Sequence, residues 1–147
     1  YMMGAHRLPK KGDPYDASIR VPMIAAGPGF EPGATSTRLA ANIDLAPTIA
    51  AAAGTSLPRA DGRDLLGDAE RGTVLVEGFQ KEGFTGLRGQ DYLYVEYPSG
   101  EREHYDYRTD PLELDNALAD WDGRTPTLDP TEAERLRELL ARYADCA

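Results

Sequence analysis

The chain has 147 residues, of which 41% are hydrophobic and 28% are charged. This composition predicts a globular polypeptide, either one domain or part of a larger one, rather than a disordered segment. The formal net charge of −9 argues against a nucleic-acid-binding protein, because phosphate contacts need a surplus of lysine and arginine. No apolar run approaches the roughly 20 residues of a membrane span, and the single cysteine, Cys146, excludes an intrachain disulfide.

The first part of the chain predicts a loop, a strand and a helix, in that order. Residues 1–20 are rich in Gly, Pro, Lys and Asp, which indicates an ordered loop. The apolar run 21–27, followed by a turn-rich loop, favours a strand that is buried on both faces. A helix should follow, with Asn42 or Asp44 as its cap and Gly54 at its end.

The second part of the chain predicts an antiparallel sheet. Segments rich in β-branched and aromatic residues predict four strands, at 73–77, 84–88, 91–97 and 101–107. Residues 98–100, Pro-Ser-Gly, predict a hairpin turn between the last two strands. Period-two alternation places His104 and Asp106 on the face opposite Tyr105 and Tyr107. We expect His104 and Asp106 to make surface or turn contacts, and the tyrosines to pack on the sheet.

The final segment predicts an amphipathic helix over residues 130–144 that closes the sheet. Its apolar stripe consists of Leu136, Leu139, Leu140 and Tyr143. Because the pattern changes near residue 70, we divide the chain into residues 1–70 and 71–147. The first part predicts an α/β arrangement and the second an α+β arrangement of about four strands and a helix.

Four motifs occur in one order along the chain. They are Gly-Ala-His-Arg-Leu at 4–8 with Lys-Gly-Asp-Pro-Tyr-Asp-Ala-Ser-Ile-Arg-Val-Pro at 11–22; Gly-Pro-Gly at 27–29; Asn-Ile-Asp-Leu-Ala-Pro-Thr-Ile at 42–49 with Asp-Gly-Arg-Asp-Leu-Leu at 61–66; and Glu-His-Tyr-Asp-Tyr-Arg-Thr-Asp-Pro-Leu-Glu-Leu-Asp-Asn at 103–116. The series resembles the C-terminal stretch of the sulfatases, members of the alkaline-phosphatase-like superfamily. The chain departs from the family pattern at Asp16, where Glu is usual, and at His104, where Leu is usual.

The resemblance implies a fold and a chemistry. Residues 1–70 would belong to the sulfatase catalytic domain, with an active-site loop, an edge strand and a helix, and 71–147 would form a small C-terminal subdomain. The intact enzyme would hydrolyse a sulfate ester with a formylglycine nucleophile and a calcium ion. We expect the nucleophile motif and the metal ligands to lie upstream of this chain, so that the isolated segment is inactive and binds no metal. Cys146, followed only by Ala147, does not fit the nucleophile motif.

The resemblance also nominates site residues. Lys11 matches the family lysine that contacts the sulfate, and a compact ammonium suits a tetrahedral anion. His6 is a candidate substrate-site or leaving-group histidine, because imidazole is a common proton donor near neutral pH, and Arg7 is a candidate substrate-binding residue. The alternatives are a solvated loop lysine, with Lys10 competing for the register, and a histidine that only supports the loop. Arg20 is expected to pair with a nearby carboxylate.

Other polar residues are better explained by structure than by chemistry. Asn42 and Asp44 carry oxygens that could bind a metal, but a helix cap explains them better. Residues 61–63, Asp-Gly-Arg, predict a turn with an ion pair.

Two alternatives to a sulfatase stay open at the level of sequence. One is a phosphoester or phosphonate hydrolase of the same superfamily, which a threonine rather than a cysteine in the nucleophile motif would indicate. The other is a non-catalytic binding or assembly module. The partners that the resemblance implies are a sulfated small molecule or glycan and the N-terminal remainder of the enzyme. It leaves the compartment undecided between export or the periplasm and other locations, and the composition suggests a bacterial source.

Overall fold

The computed structural model describes residues 2–68, 70–78 and 83–144. Contacts divide the chain into two compact units, residues 1–21 with 75–147 and residues 22–74. We call their described parts the sheet unit and the helix unit. The predicted division of the parent enzyme at residue 70 stays a prediction, while packing within this chain groups the first 21 residues with the sheet. None of the helices in the described ranges is long and apolar enough to cross a membrane.

The sheet has four strands in sequential order. They are β1 (Thr73–Gly78), β2 (Phe84–Gly89), β3 (Tyr92–Glu96) and β4 (Arg102–Asp106). Strands β2 and β3, and β3 and β4, are antiparallel, and Tyr94 lies opposite both Leu87 and His104. The predicted sheet is thereby confirmed, including its hairpin turn. Gly100 closes that turn with a φ of 91°, a left-handed conformation that costs glycine little.

Both faces of the sheet are covered by apolar side chains. On one face, a core forms between the sheet and the final helix; its buried members are Leu87, Tyr94, Leu118, Ala133, Leu136 and Leu140. On the other face, a second core includes Phe84, Leu93, Val95 and Tyr105, with Tyr15 packed against it. The predicted alternation along β4 is therefore confirmed, because His104 and Tyr105 lie on opposite faces.

The final helix, α3, spans Pro130–Ala144 as predicted. Asp129 caps it, since its Oδ1 accepts hydrogen bonds from the backbone N–H groups of Thr131 at 2.8 Å and Glu132 at 3.2 Å. Pro130 then occupies the first helical position, where the missing N–H costs nothing. The apolar stripe faces the sheet, with Leu136 and Leu140 buried and Leu139 partly buried.

His104 corrects the expectation of a surface position. It is 7% exposed, and its ring stacks near that of Tyr92 with centroids 6.2 Å apart. The register places it beside Tyr94 on the face that α3 covers. Burial lowers the pKa of His104, against the opposing effect of the Asp106 and Glu132 carboxylates. The polar residue type of His104 gave no sign that α3 covers this face of the sheet.

The helix unit contains a short 3-10 turn, Asn42–Asp44, that leads into α2, Leu45–Ala52. The predicted end at Gly54 is confirmed. Gly54 has a φ of 73°, its N–H donates to the Ala51 carbonyl at 2.9 Å, and the N–H of Thr55 donates to the Ala50 carbonyl at 3.0 Å. This pair of bonds is a Schellman motif, which satisfies the last helical carbonyls.

The strand predicted at 21–27 does not form within this chain. Residues 21–26 have no strand assignment, and Ile24 is 94% exposed. An apolar run favours burial, but a strand also needs hydrogen-bond partners on a neighbouring strand, and none pairs with this run in the described part of the chain. A second difference is a short helix, α1, at Asp16–Ile19, where the sequence predicted only a loop.

Candidate functional site

The candidate site residues lie on a loop that closes on itself. The backbone N–H of Met2 donates to the Lys10 carbonyl at 3.2 Å, and that of Gly4 donates to the Leu8 carbonyl at 3.0 Å. Between these bonds, a 3-10 turn spans Ala5–Arg7. Met2 is buried and anchors the base of the loop. His6 is half-buried, whereas Arg7 and Lys11 are exposed.

The backbone of this loop is strained. Met3, His6 and Arg7 have φ values of 48°, 52° and 61°, in the left-handed region that non-glycine residues rarely adopt. Each such residue costs on the order of 1–3 kcal/mol, and strain of this kind concentrates at functional sites, where the surrounding structure maintains it. The strain thus includes two of the three residues that the sequence nominated for chemistry, His6 and Arg7, but not Lys11.

Tyr15 connects the loop to the sheet. The ring of His6 stacks flat on that of Tyr15, with centroids 3.9 Å apart and an interplanar angle of 2°. The Tyr15 hydroxyl donates to Oε1 of Glu103 on β4 at 3.3 Å, and the Tyr15 ring meets that of Tyr105 edge-on at 6.1 Å. His6 is therefore attached to the sheet through one aromatic ring.

Glu103 is surrounded by tyrosines. Burial raises the pKa of Glu103, against the lowering effect of hydrogen bonds from the hydroxyls of Tyr105, Tyr15 and Tyr97. The carboxylate in turn adds to the effect of burial on Tyr15, whose pKa rises to about 12. In the described structure, Oε2 of Glu103 is buried without a hydrogen-bond partner. A carboxylate so placed holds the tyrosine hydroxyls by accepting hydrogen bonds from them.

A second carboxylate fixes the residue after Tyr15. The backbone N–H of Asp16 lies 3.0 Å from both oxygens of Glu113, and the Tyr107 hydroxyl donates to Oε1 of Glu113 at 2.9 Å. Glu113 is buried, and burial raises its pKa. Arg88 donates to Oδ1 of Asp16 at 3.1 Å, so both the backbone and the side chain of Asp16 are bound.

The role of these anchors was not predicted from the sequence. Tyr15 and Asp16 belong to the first motif, whereas Glu103 and Glu113 belong to the fourth, and the contacting residues are 88 and 97 positions apart. The available signal was that the two motifs occur together in one chain. The substitution at Asp16 is accommodated, because its shorter side chain still reaches both Arg88 and Arg20.

The remaining polar candidates have structural contacts. Arg20 pairs with Asp16 at 3.4 Å, as predicted. Asp44 is buried, and its Oδ2 accepts from the N–H of Ala41 at 2.7 Å, which caps the turn before α2. Its Oδ1 accepts from the N–H of Arg63 at 2.8 Å and pairs with the Arg71 guanidinium. Asp44 therefore has a structural role, as predicted, but its side chain caps the 3-10 turn and makes no capping hydrogen bond to α2.

Comparison with known proteins places this geometry in a family. No family model matches the chain. The chain is 34% identical to a choline-sulfatase of Rhizobium meliloti (strain 1021) over 98% of its own length and 30% of the relative. It is 43% identical to the human N-acetylglucosamine-6-sulfatase over 56% of its own length and 17% of that protein. A solved 2-O GAG sulfatase superposes with a TM-score of 0.77 at 26% identity, over 98% of this chain and 33% of the other.

The fold matches that of the C-terminal region of solved sulfatases. The chain belongs to the sulfatase family, so the resemblance that the four motifs predicted is confirmed. The mixed α/β fold with a small antiparallel sheet is confirmed with it. The chain spans about a third or less of the length of the relatives that it matches.

Proposed function

We propose that the protein to which this chain belongs hydrolyses sulfate esters, and that this chain supplies cationic groups to its active site. The observation that carries the proposal is the similarity to a choline-sulfatase over 98% of the chain. The strained loop that holds His6 and Arg7 supports it, because strain of this kind concentrates at functional sites.

The chemistry assigns each residue a task. During hydrolysis, negative charge builds on the sulfuryl oxygens and on the leaving oxygen, so fixed cations and a proton donor must point at both. The Lys11 ammonium binds the sulfuryl oxygens. The His6 imidazolium gives its proton to the leaving alcohol oxygen, and Arg7 binds a further anionic or hydroxyl group of the substrate. These groups provide local positive charge within a chain of net charge −9.

Sulfatases generally use calcium and formylglycine, and this part of the chain does not fit either group. Within residues 2–68, 70–78 and 83–144, no group of three or more His, Cys, Asp or Glu side chains could hold a metal ion, and Asp44 is occupied by backbone and arginine contacts. Cys146 lies outside the described residues. We propose that the metal ligands and the nucleophile reside elsewhere in the enzyme, and that the isolated segment is inactive.

The partners follow from the same proposal. The substrate is a sulfated small molecule or a glycan, since the relatives are named for choline and for amino-sugar sulfates. The N-terminal remainder of the enzyme covers apolar side chains that this chain leaves exposed, such as Met23, Ile24 and Ile49. Exposed apolar groups of this size favour burial in an interface.

The test is an assay of the full-length enzyme on a fluorogenic aryl sulfate and on the matching aryl phosphate. We expect sulfate turnover to predominate, and Lys11→Ala to lower kcat/KM by about 10²- to 10³-fold, the range for loss of one charge-stabilising group. Lys10→Ala is the matched control and should stay within about threefold of wild type, a change worth less than 1 kcal/mol.

Three results would contradict the proposal. Faster turnover of the phosphate would favour a phosphoesterase. A larger loss of activity for Lys10→Ala than for Lys11→Ala would show that Lys10, and not Lys11, is the lysine that binds the sulfate. Turnover by purified residues 1–147, with the mass confirming the absence of further chain, would show that the segment itself contains the catalytic centre.

A further inference from the structure

We infer that Tyr15 and Glu103 are positioning residues that hold the imidazole of His6 in its working orientation. The inference rests on the proposed role of His6 in protonating the leaving group. It goes beyond that role by assigning a task to the C-terminal sheet, which carries Glu103 on β4.

The first step is the stack itself. Two rings that are 3.9 Å apart and inclined by 2° share a face, so the plane of Tyr15 fixes the plane of His6. Aromatic pairs contribute stability beyond the area that they bury. That gain partly offsets the cost of the left-handed backbone at His6, whose φ is 52°.

The second step is that Tyr15 is itself held from several sides. Its hydroxyl is bound by Glu103 at 3.3 Å, its ring meets the edge of Tyr105, and the next peptide N–H is bound by Glu113. A ring that is fixed at its hydroxyl, its edge and its backbone cannot turn without breaking contacts. Sites supported by strands are held more accurately than sites supported by loops, and β4 provides that support here.

The third step links orientation to chemistry. An oxygen nucleophile from elsewhere in the enzyme forms a bond to sulfur as the S–O bond to the leaving group breaks. The imidazolium of His6 gives one proton to the departing oxygen, which leaves as an alcohol, and His6 becomes neutral. A misplacement of about 1 Å can cost such a step about 100-fold. The loss should be large for a poor leaving group, whose oxygen needs the proton, and small for 4-nitrophenolate, which departs as a stable anion.

The experiment compares two substrates in the full-length enzyme. We expect Tyr15→Leu to lower kcat by about 10- to 100-fold on an alkyl or sugar sulfate and by less than about threefold on 4-nitrophenyl sulfate, with KM little changed. Tyr15→Phe keeps the stacked ring but loses the hydrogen bond to Glu103, so it should show only a small selective loss. Glu103→Leu, which frees the Tyr15 hydroxyl, should show the same kind of selective loss of kcat as Tyr15→Leu, but a smaller one.

Tyr92→Leu is the matched control, because Tyr92 stacks near the other histidine, His104, on the opposite face of the sheet. It should leave the ratio of the two activities unchanged. His6→Ala is the reference variant and should reproduce the selective loss. If His6→Ala reduces both substrates equally, the proposed role of His6 fails and the inference fails with it. If His6→Ala is selective but Tyr15→Leu and Glu103→Leu are not, only the positioning inference is overturned.

Discussion

The two units of this chain are stabilised in different ways. In the sheet unit, the largest fully buried side chains are apolar or aromatic: Tyr94, Leu87, Leu93, Leu136 and Val95. In the helix unit, the fully buried side chain is a carboxylate, Asp44. Large apolar residues of the helix unit remain exposed, among them Ile24, Ile43, Leu45, Ile49 and Leu57.

The helix unit is organised by polar contacts to the backbone instead of by an apolar core. Besides the contacts of Asp44, the Thr48 hydroxyl donates to the Asp44 carbonyl at 2.6 Å and accepts from the N–H of Leu65 at 2.9 Å. Arg38 donates to the carbonyls of Gly67 and Leu65 at 2.8 and 3.0 Å. Such bonds specify a conformation, but each contributes only about 0.5–1.5 kcal/mol net. The two units together show that hydrogen bonds can order a segment that lacks an apolar core of its own.

The largest expected effect tests the polar centre of the helix unit. Asp44→Ala removes the acceptor of two backbone N–H groups. It also leaves the guanidinium of Arg71 without its carboxylate, and the Arg71 side chain is only 7% exposed. Removal of one partner of a buried pair costs about 3–5 kcal/mol. We expect amide hydrogen exchange to accelerate from residue 41 to residue 65, while the amides of β3 and β4 keep their protection.

The control for Asp44 is Asp115→Ala, which removes a solvent-exposed pair with Arg124. Surface pairs contribute about 0–1 kcal/mol, so exchange should hardly change. Equal loss of protection in both units after Asp44→Ala would contradict the comparison, because it would show one cooperative unit.

The next effect compares apolar truncation in the two units. Leu136→Ala should lower the free energy of unfolding of the sheet unit by about 2–5 kcal/mol, since it removes a side chain with 0% exposure and leaves a cavity. Ile49→Ala, at a side chain that is 68% exposed in this chain, should change stability by less than about 0.5 kcal/mol. Urea unfolding of the 147-residue chain measures both. A large cost for Ile49→Ala would show that the helix unit does contain an apolar core.

The smallest effect is a pH dependence within the sheet unit. Burial raises the folded-state pKa of Glu103 above its unfolded value of about 4.3. At pH values between these two pKa values, the folded state therefore binds more protons than the unfolded state. The free energy of unfolding therefore decreases as pH rises from the unfolded pKa through the folded pKa. Glu103→Gln keeps an acceptor for Tyr15 and removes the titration, so it should be more stable than wild type at pH 7.

Thermal unfolding at pH 4, 5, 6 and 7 measures this difference between Glu103→Gln and wild type. The stability advantage of the glutamine variant should grow with pH. An advantage that is the same at every pH would mean that Glu103 does not titrate differently in the folded and unfolded states. Glu103→Leu should be less stable than Glu103→Gln throughout, because it leaves the tyrosine hydroxyls without an acceptor.

The elements with strong local signals were predictable. Pro130 after an aspartate cap, Gly54 after an alanine-rich run and Gly100 in a hairpin turn each act within a few residues, and the structure confirms the helix and turn boundaries that they mark. The strand predicted at residues 21–27 failed because strand formation depends on partners distant in sequence. His104 was misplaced for a related reason, since its burial depends on the helix that covers its face.

The candidate site also combines residues that the sequence nominated with contacts that only the fold shows. Motif resemblance nominated His6, Arg7 and Lys11 and identified the family, while their assignment to chemistry remains a prediction. The attachment of His6 through Tyr15 to Glu103 came only from the fold.

By itself, the sequence determined the positions of the second-half strands, the ends of the two longer helices and the membership in the sulfatase family. These properties depend on residue types within a few positions, or on motifs read directly from the chain. Only the tertiary structure decided which carboxylates hold the loop of the candidate site, which polar residues are buried and which apolar run stays unpaired within this chain. Those outcomes depend on contacts between residues tens of positions apart, whose burial and pairing are set by the packing of the whole chain.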